Sequence, residues 1–233
     1  MIQTLPRAVA SPPGKPVRAE AARSQERARR VALEPGTWSR DEAAAMAAEF
    51  DAMAASWEGD RGGYRPPVLA DALARGGPFP AGRAVEIASG TGLLTGLIAA
   101  LWQPVLAVDL SRGMLARSAA RHRVQADASR LPLPDGCASA VVIGDGPLFA
   151  GEVARVMADE AVLVWSNALG TGAPFHLRTE LLIDAMAAAT GRAWDATTSE
   201  AYWGSWAVLR AAGRGPVAAG PALAVVSAGG ASR

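Results

Sequence analysis

Apolar and polar positions follow two rhythms along this chain, and the change comes near residue 83. Before it, in "TWSRDEAAAMAAEFDAMAASWEG" (37–59), the large apolar residues Met46, Phe50, Met53 and Trp57 recur three and four apart. That spacing predicts an amphipathic helix with one core-facing stripe. Ser39 with Glu42 three residues on is the capping-box arrangement that starts such a helix. "YRPPVLADALARGG" predicts a second, shorter helix closing at Gly76-Gly77.

From residue 83 short apolar runs alternate with helical patterns. Strands are expected at 84–88, 105–109, 123–127, 138–145 and 161–166, with helices at about 92–102, 111–121, 149–158 and 177–190. "AYWGSWAVLR" within 193–210 turns at Trp203-Gly204 and predicts an antiparallel pair. Strands alternating with helices at this spacing mean an open α/β sheet of about seven strands, mostly parallel, with helices on both faces. The stretch 1–36 is rich in proline and arginine, and 211–233 in small residues. The expected organisation is a disordered leader (1–36), one domain (37–210) and a flexible tail (211–233). Within the domain, 37–80 is a helical cap, 83–166 a ligand-binding core, and 167–210 a helix and strand pair.

Composition narrows the function. Half of the 233 residues are apolar and the formal net charge is +1, as for one ordinary globular domain. Lys15 is the one lysine among 23 basic residues, which with the excess of alanine looks like codon bias. Residues 1–36 hold seven basic and three acidic side chains, so the remainder is mildly acidic. Such a surface is a poor match for nucleic acid. Cys137 is the one cysteine, so no intrachain disulfide forms, and a cytoplasmic location is expected. With His122 and His176 as the only histidines, no structural zinc site is expected. Residues 87–108 carry no charge over 22 positions, a length that could span a bilayer. Glycines and Gln103-Pro104 break the run, and two strands flanking a helix explain it without a membrane.

The chemistry concentrates at strand ends. "VEIASGTG" (85–92) is a strand ending beside an acid, Glu86, followed by Ser89-Gly90-Thr91-Gly92. Glycine there permits positive φ and close approach of a ligand to backbone. Asp109 ends the second strand 19 residues beyond Gly90, the spacing at which a carboxylate accepts ribose hydroxyls. Leu110 and Met114 lie close behind as an apolar platform, and Asp127 ends the third strand.

Together, "VEIASGTG", "VDLSRGML" (108–115) and "ADASRLPLPDG" (126–136) resemble the class I S-adenosylmethionine-dependent methyltransferases, near the ubiquinone/menaquinone-biosynthesis type and related small bacterial enzymes. "EVARVMADEAVLVW" (152–165) and "WGSWAVLR" (203–210) extend the similarity over about residues 45–210. The resemblance implies a Rossmann-like fold, S-adenosylmethionine as cofactor and direct methyl transfer to a small-molecule acceptor. By position, Glu86, Ala88, Ser89, Gly90, Thr91 and Gly92 would frame the methionine part of the cofactor. Asp109 would hold the ribose, Leu110 and Met114 the adenine faces, and Asp127 with Ala128 its edge. Asp145 would lie near the sulfonium and acceptor. If a proton must be removed, the candidates are Asp145, His176 and Tyr64. Trp38, Trp57, Tyr64, Phe149 and Phe175 suggest a partly aromatic or apolar acceptor. Three departures stand out: Ala88 where many members have glycine, Ser139 for an aspartate, and "MADEA" (157–161) for a Pro-Gly-Gly turn. They keep a non-catalytic cofactor-binding partner protein open as an alternative. A nicotinamide-dependent dehydrogenase fits less well, because its third glycine would fall on Thr95.

Overall fold

The computed structural model of the protein describes residues 1–17 and 21–213. Its centre is one eight-stranded sheet ordered β1-β7-β8-β6-β5-β2-β3-β4. The strands are β1 (Ile2–Thr4), β2 (Ala84–Ile87), β3 (Val105–Asp109), β4 (His122–Gln125), β5 (Ala138–Gly144), β6 (Met157–Asn167), β7 (Trp194–Ala201) and β8 (Gly204–Ala211). All neighbours pair in parallel except β8, which runs antiparallel to both β6 and β7. This is the Rossmann-like sheet of the sequence reading with one more strand.

The helices are α1 (Ala21–Leu33), α2 (Arg40–Met53), α3 (Trp57–Arg61), α4 (Pro66–Arg75), α5 (Thr95–Ala99), α6 (Arg112–Arg117), α7 (Ala150–Val156) and α8 (Thr179–Thr190). Alternation along each strand divides the core between the two faces. Val141 and Ile143 of β5 pack with Leu163, Trp165, Val153 of α7 and Leu182 and Met186 of α8. Ala140 and Val142 pack on the opposite face with Leu69 and Ala72 of α4, and Ile98 and Trp102 in and beyond α5.

Among the described residues, the stretch expected as a disordered leader carries β1 and α1. Ile2–Thr4 pairs with Ala196–Thr198 at the sheet edge, where the partner strand supplies the hydrogen bonds that three residues could not sustain alone. Arg75 of α4 ties this strap down: it donates to the Pro6 carbonyl (2.9 Å), to Ser199 (2.9 Å) and through two nitrogens to buried Asp71 (2.8 and 2.6 Å). The indole of Trp206 completes the Asp71 site at 2.7 Å. In α1, Ala28, Val31 and Ala32 are buried, an apolar stripe hidden by the surrounding arginines. The expected flexible tail lies, from residue 214 on, outside the described residues.

Ser39 and Glu42 form the capping box that starts α2. The single helix expected over 37–59 is broken at Ala54 to Ser56, where i→i−3 bonds tighten the chain (Ala54 to Asp51, Ser56 to Met53). The helix expected over 92–102 shortens to α5 for the same reason, with i→i−3 bonds at both ends. That expected over 111–121 stops at Arg117, and Arg123 donates to the Leu115 and Ser118 carbonyls there. At "MADEA" no turn forms, and α7 passes straight into β6 at Met157. The uncharged run 87–108 is the end of β2, α5 and β3. Among the described residues no helix is long and apolar enough to cross a membrane.

Candidate functional site

From β2 the chain steps outward through β3 to β4, then returns to pair β5 against the other side of β2. The carboxyl ends of β2 and β5 therefore flank the point where strand order reverses, the ligand crevice of open α/β sheets. Two residues there adopt the left-handed conformation without being glycine: Ala88 (φ 55°) after β2 and Asp145 (φ 52°) after β5. Each costs on the order of 1–2 kcal/mol, and such residues cluster at functional sites. The turns press together: a Cβ at Gly146 would lie 2.6 Å from that of Ala88.

Gly90 (φ 56°) and Gly92 (φ 81°) shape the turn after β2. The amide of Gly90 donates to Asp109 Oδ2 at 2.7 Å, and that of Ser111 to Oδ1 at 2.8 Å. Asp109 is thus locked against the turn, and burial pushes its carboxyl above the usual range despite these donors. Glu86 is buried deeper, with Thr95 donating its hydroxyl. Burial raises its pKa to about 8, opposed by the Thr95 bond and helped by the Asp109 charge. Glu86 is therefore a neutral acid at pH 7.

Ala88, Gly90, Asp109, Met114 and Asp145 line one cavity of about 50 Å³. Its outer wall comes from the cap: Met46 and Phe50 of α2, Trp57 of α3, and Arg65. A second cavity of about 60 Å³ lies against the first, sharing Met46, Phe50, Trp57, Arg65, Asp145 and Phe175 and adding Tyr64 and Leu169. Asp145 Oδ1 accepts from the amide of Ala168 (3.1 Å) and from Asn167 (3.4 Å), while Arg65 stands 3.4 Å from Oδ2.

The remaining sequence candidates are placed as follows. Leu110 and Ala128 pack on the core. Asp127 lines neither cavity; it follows β4 and accepts from Trp38 Nε1 (2.9 Å) and the Ser129 amide (2.8 Å). Trp38 in turn meets Phe149 edge-on at 5.5 Å, and neither aromatic lines these two cavities. Tyr64 packs on Trp203 at 6.1 Å. His176 lines a different cleft, and burial holds its imidazole below the usual pKa, opposed by Asp145 and aided by Arg178.

Sequence reasoning passed over Arg65 and Asp51. Arg65 sits 4.8 Å over the Trp57 ring, and its Nε is buried with no hydrogen-bond partner. Ser89 Oγ and Thr91 Oγ1 are also buried and unsatisfied. Two orphaned hydroxyls in the glycine turn, and a third orphaned atom on Arg65 in the wall of the cavity that Gly90 lines, are costly in a folded chain and mark a place where a polar ligand completes the bonding. Asp51 accepts from Ser111 Oγ and the Gly113 amide (2.7 Å), fastening α2 to the start of α6. The one signal for Arg65 was a cation in an otherwise uncharged stretch, "YRPPVLA".

Among the described residues no group of three or more His, Cys, Asp or Glu could hold a metal ion. Residues 85–164 match a family described as "Methyltransferase domain". No curated protein matches the chain. Among solved structures, DhpI in complex with SAH (S-adenosylhomocysteine) is 19% identical over 76% of this chain and 100% of its own, with a TM-score of 0.61. A SAM-dependent methyltransferase from Aquifex aeolicus is 14% identical over 69% and 97%, with a TM-score of 0.54. The [4+2]-cyclase SpnF is 17% identical over 65% and 72%, with a TM-score of 0.52. Residues 85–164 thus match the methyltransferase-domain family, and the chain shares the Rossmann-like fold of the S-adenosylmethionine-dependent methyltransferase structures.

Proposed function

We propose that this chain transfers a methyl group from S-adenosylmethionine to a small-molecule acceptor held in the outer cavity. The observation that carries the reading is the junction of the two cavities at Asp145, over the crevice between β2 and β5. The donor set fits the cofactor. Gly90 and its neighbours offer backbone and the unsatisfied Ser89 and Thr91 hydroxyls to the methionine portion. Asp109 has lone pairs left for the ribose hydroxyls, and Met114 flanks the adenine. Asp127, already oriented by Trp38 and Ser129, would meet the adenine edge with Ala128. To these we add Arg65, which pairs with Asp145 through one terminal nitrogen and keeps a buried, unpartnered Nε for the cofactor carboxylate.

The space fits only if the cap moves. Ligand pockets are usually about 300–1,000 Å³, well above the inner cavity. Phe50, Trp57 and Arg65 must therefore swing outward, hinging where α2 and α3 separate. When bound, the cofactor supplies a methyl already activated on a sulfonium. The chain's part is to orient the acceptor and exclude water, for which Phe50, Trp57, Tyr64 and Phe175 form an apolar, aromatic wall. A proton leaving the acceptor would pass to Asp145, the carboxylate common to both cavities. The acidic balance of the described domain favours a metabolite over a nucleic acid, and the outer cavity sets Phe50, Trp57 and Phe175 against the charged Arg27, Glu49, Arg65 and Asp145.

Calorimetry with S-adenosylhomocysteine on the wild type and Asp109→Ala tests the cofactor site. Losing a charged hydrogen-bonding group should cost roughly 1.5–3 kcal/mol. Unchanged affinity in the variant would sink the reading. Methyl transfer across a panel of apolar and charged metabolites then tests the acceptor class, and turnover of highly charged acceptors alone would contradict it.

A further inference from the structure

Beyond the two small cavities lies a cleft of about 620 Å³ that the proposed methyl transfer does not use. Its floor is the uncovered end of the sheet face, where Thr4, Thr198, Ala207 and Trp165 stand side by side across β1, β7, β8 and β6. Glu200 and Ser205 continue the row. The strap from Thr4 to Lys15 forms one rim, held by Arg7 on Glu200 and by Trp203 Nε1 on the Pro12 carbonyl (2.6 Å). The opposite rim is the segment from Gly170 to Thr179 and the start of α8.

Three features of this cleft ask for the same kind of ligand. Lys15 and Arg178 both line it and neither forms an ion pair among the described residues, since Glu200 is taken by Arg7. The N-terminus of the twelve-residue α8 has no side-chain cap, and Thr179 of its first turn faces the cleft lining. Its free amides and positive dipole end favour an anion. His176, which also lines the cleft, keeps Nδ1 buried without a partner. Around these charges the hydroxyls of Thr4, Thr171, Thr179 and Ser205 are engaged in no hydrogen bond among the described residues. Trp203, half-buried, supplies an apolar face. Two cations and a helix end suit a phosphate; spare hydroxyls beside the Trp203 indole suit a polyol.

We propose that this cleft binds a phosphorylated polyhydroxy compound of sugar-phosphate size. Lys15, Arg178 and the start of α8 hold the phosphate, and the threonine and serine hydroxyls hold the polyol. The site is separate from the cofactor crevice and does not depend on the chain being a methyltransferase.

The test is calorimetric titration of the full chain with glucose 6-phosphate, inorganic phosphate and glucose. Saturable binding is expected in the order glucose 6-phosphate, then phosphate, then glucose. Lys15→Ala and Arg178→Ala should each weaken glucose 6-phosphate about tenfold or more, the worth of one charged hydrogen bond. Both side chains are exposed, so the variants should fold, and unchanged circular dichroism and denaturant midpoints verify that they do. No saturation at millimolar concentration, affinity unchanged from the wild type in both variants, or displacement of the sugar phosphate by S-adenosylhomocysteine would each overturn the proposal.

Discussion

Glu86 offers the sharpest physical test of the crevice. Its carboxyl is completely enclosed beneath the glycine turn, with one hydroxyl bond from Thr95 and the Asp109 charge nearby. In the unfolded chain it releases its proton near 4.5; in the fold it keeps it to about 8. Between those values the native state carries one proton more than the unfolded chain. Stability therefore falls as pH rises across that window, and the contribution is fully present only below 4.5. At 1.36 kcal/mol per pKa unit, the shift corresponds to about 5 kcal/mol lost by pH 8, comparable with the whole stability of many domains.

Glu86→Gln keeps the shape and the acceptor for Thr95 but removes the titration. Denaturant unfolding of both proteins at closely spaced pH values from 5 to 9 should show the wild type weakening towards alkaline pH and the variant much flatter. The difference between the two profiles isolates Glu86 from Asp109, whose raised pKa acts in the same direction. Parallel profiles would refute the buried neutral acid. A variant less stable than the wild type at pH 9 would do the same, because by then the wild type should hold a buried charge.

Two further perturbations probe the same crevice. Arg65→Met should weaken S-adenosylhomocysteine about tenfold or more, the worth of a charged hydrogen bond, yet leave methylthioadenosine, which lacks the carboxylate, unaffected; equal losses for both ligands in calorimetry would remove Arg65 from the carboxylate role. Ala88→Gly relieves a left-handed alanine and should stabilise the fold by about 1 kcal/mol in denaturant unfolding; destabilisation would show that the methyl packs better than its backbone strain costs.

The central sheet was legible because β2, β3, β5 and β6 are apolar runs whose pattern no helix can imitate, with β3, β5 and β6 ending at Asp109, Gly144 and Asn167. The glycine turn and Asp109 were legible because backbone geometry and ligand reach fix their spacing. What escaped depended on distant partners. β1 exists because β7 lends it hydrogen bonds, and three residues carry no periodicity of their own. Asp127 read as an open strand-end acid, but an indole 89 positions earlier in the chain already occupies one of its oxygens. His176 read as a candidate base beside the crevice, whereas the chain turns at Phe175 and sends the two neighbours to different clefts. Arg65 gave almost no signal, since its importance lies in a missing bond rather than a present one.

The stripe Met46, Phe50, Met53 and Trp57 looked like ordinary core, and much of it is the outer wall of both cavities. That double duty has a consequence for chemistry. A wall shared by two ligands must be displaced by the first before the second finds its final contacts, so the two bind with coupled free energies. Asp51 sets how far the wall can travel, because its bonds to Ser111 and Gly113 fix the end of α2 to the helix that follows Asp109. Movement of Phe50 and Trp57 therefore pivots on the segment that would hold the ribose. SpnF, a cyclase, shares this fold, so the sheet alone does not dictate the reaction. What distinguishes one such chain from another is the cap, and here the cap presents aromatic faces and Arg65, paired with Asp145 but with its Nε unpartnered, to the crevice.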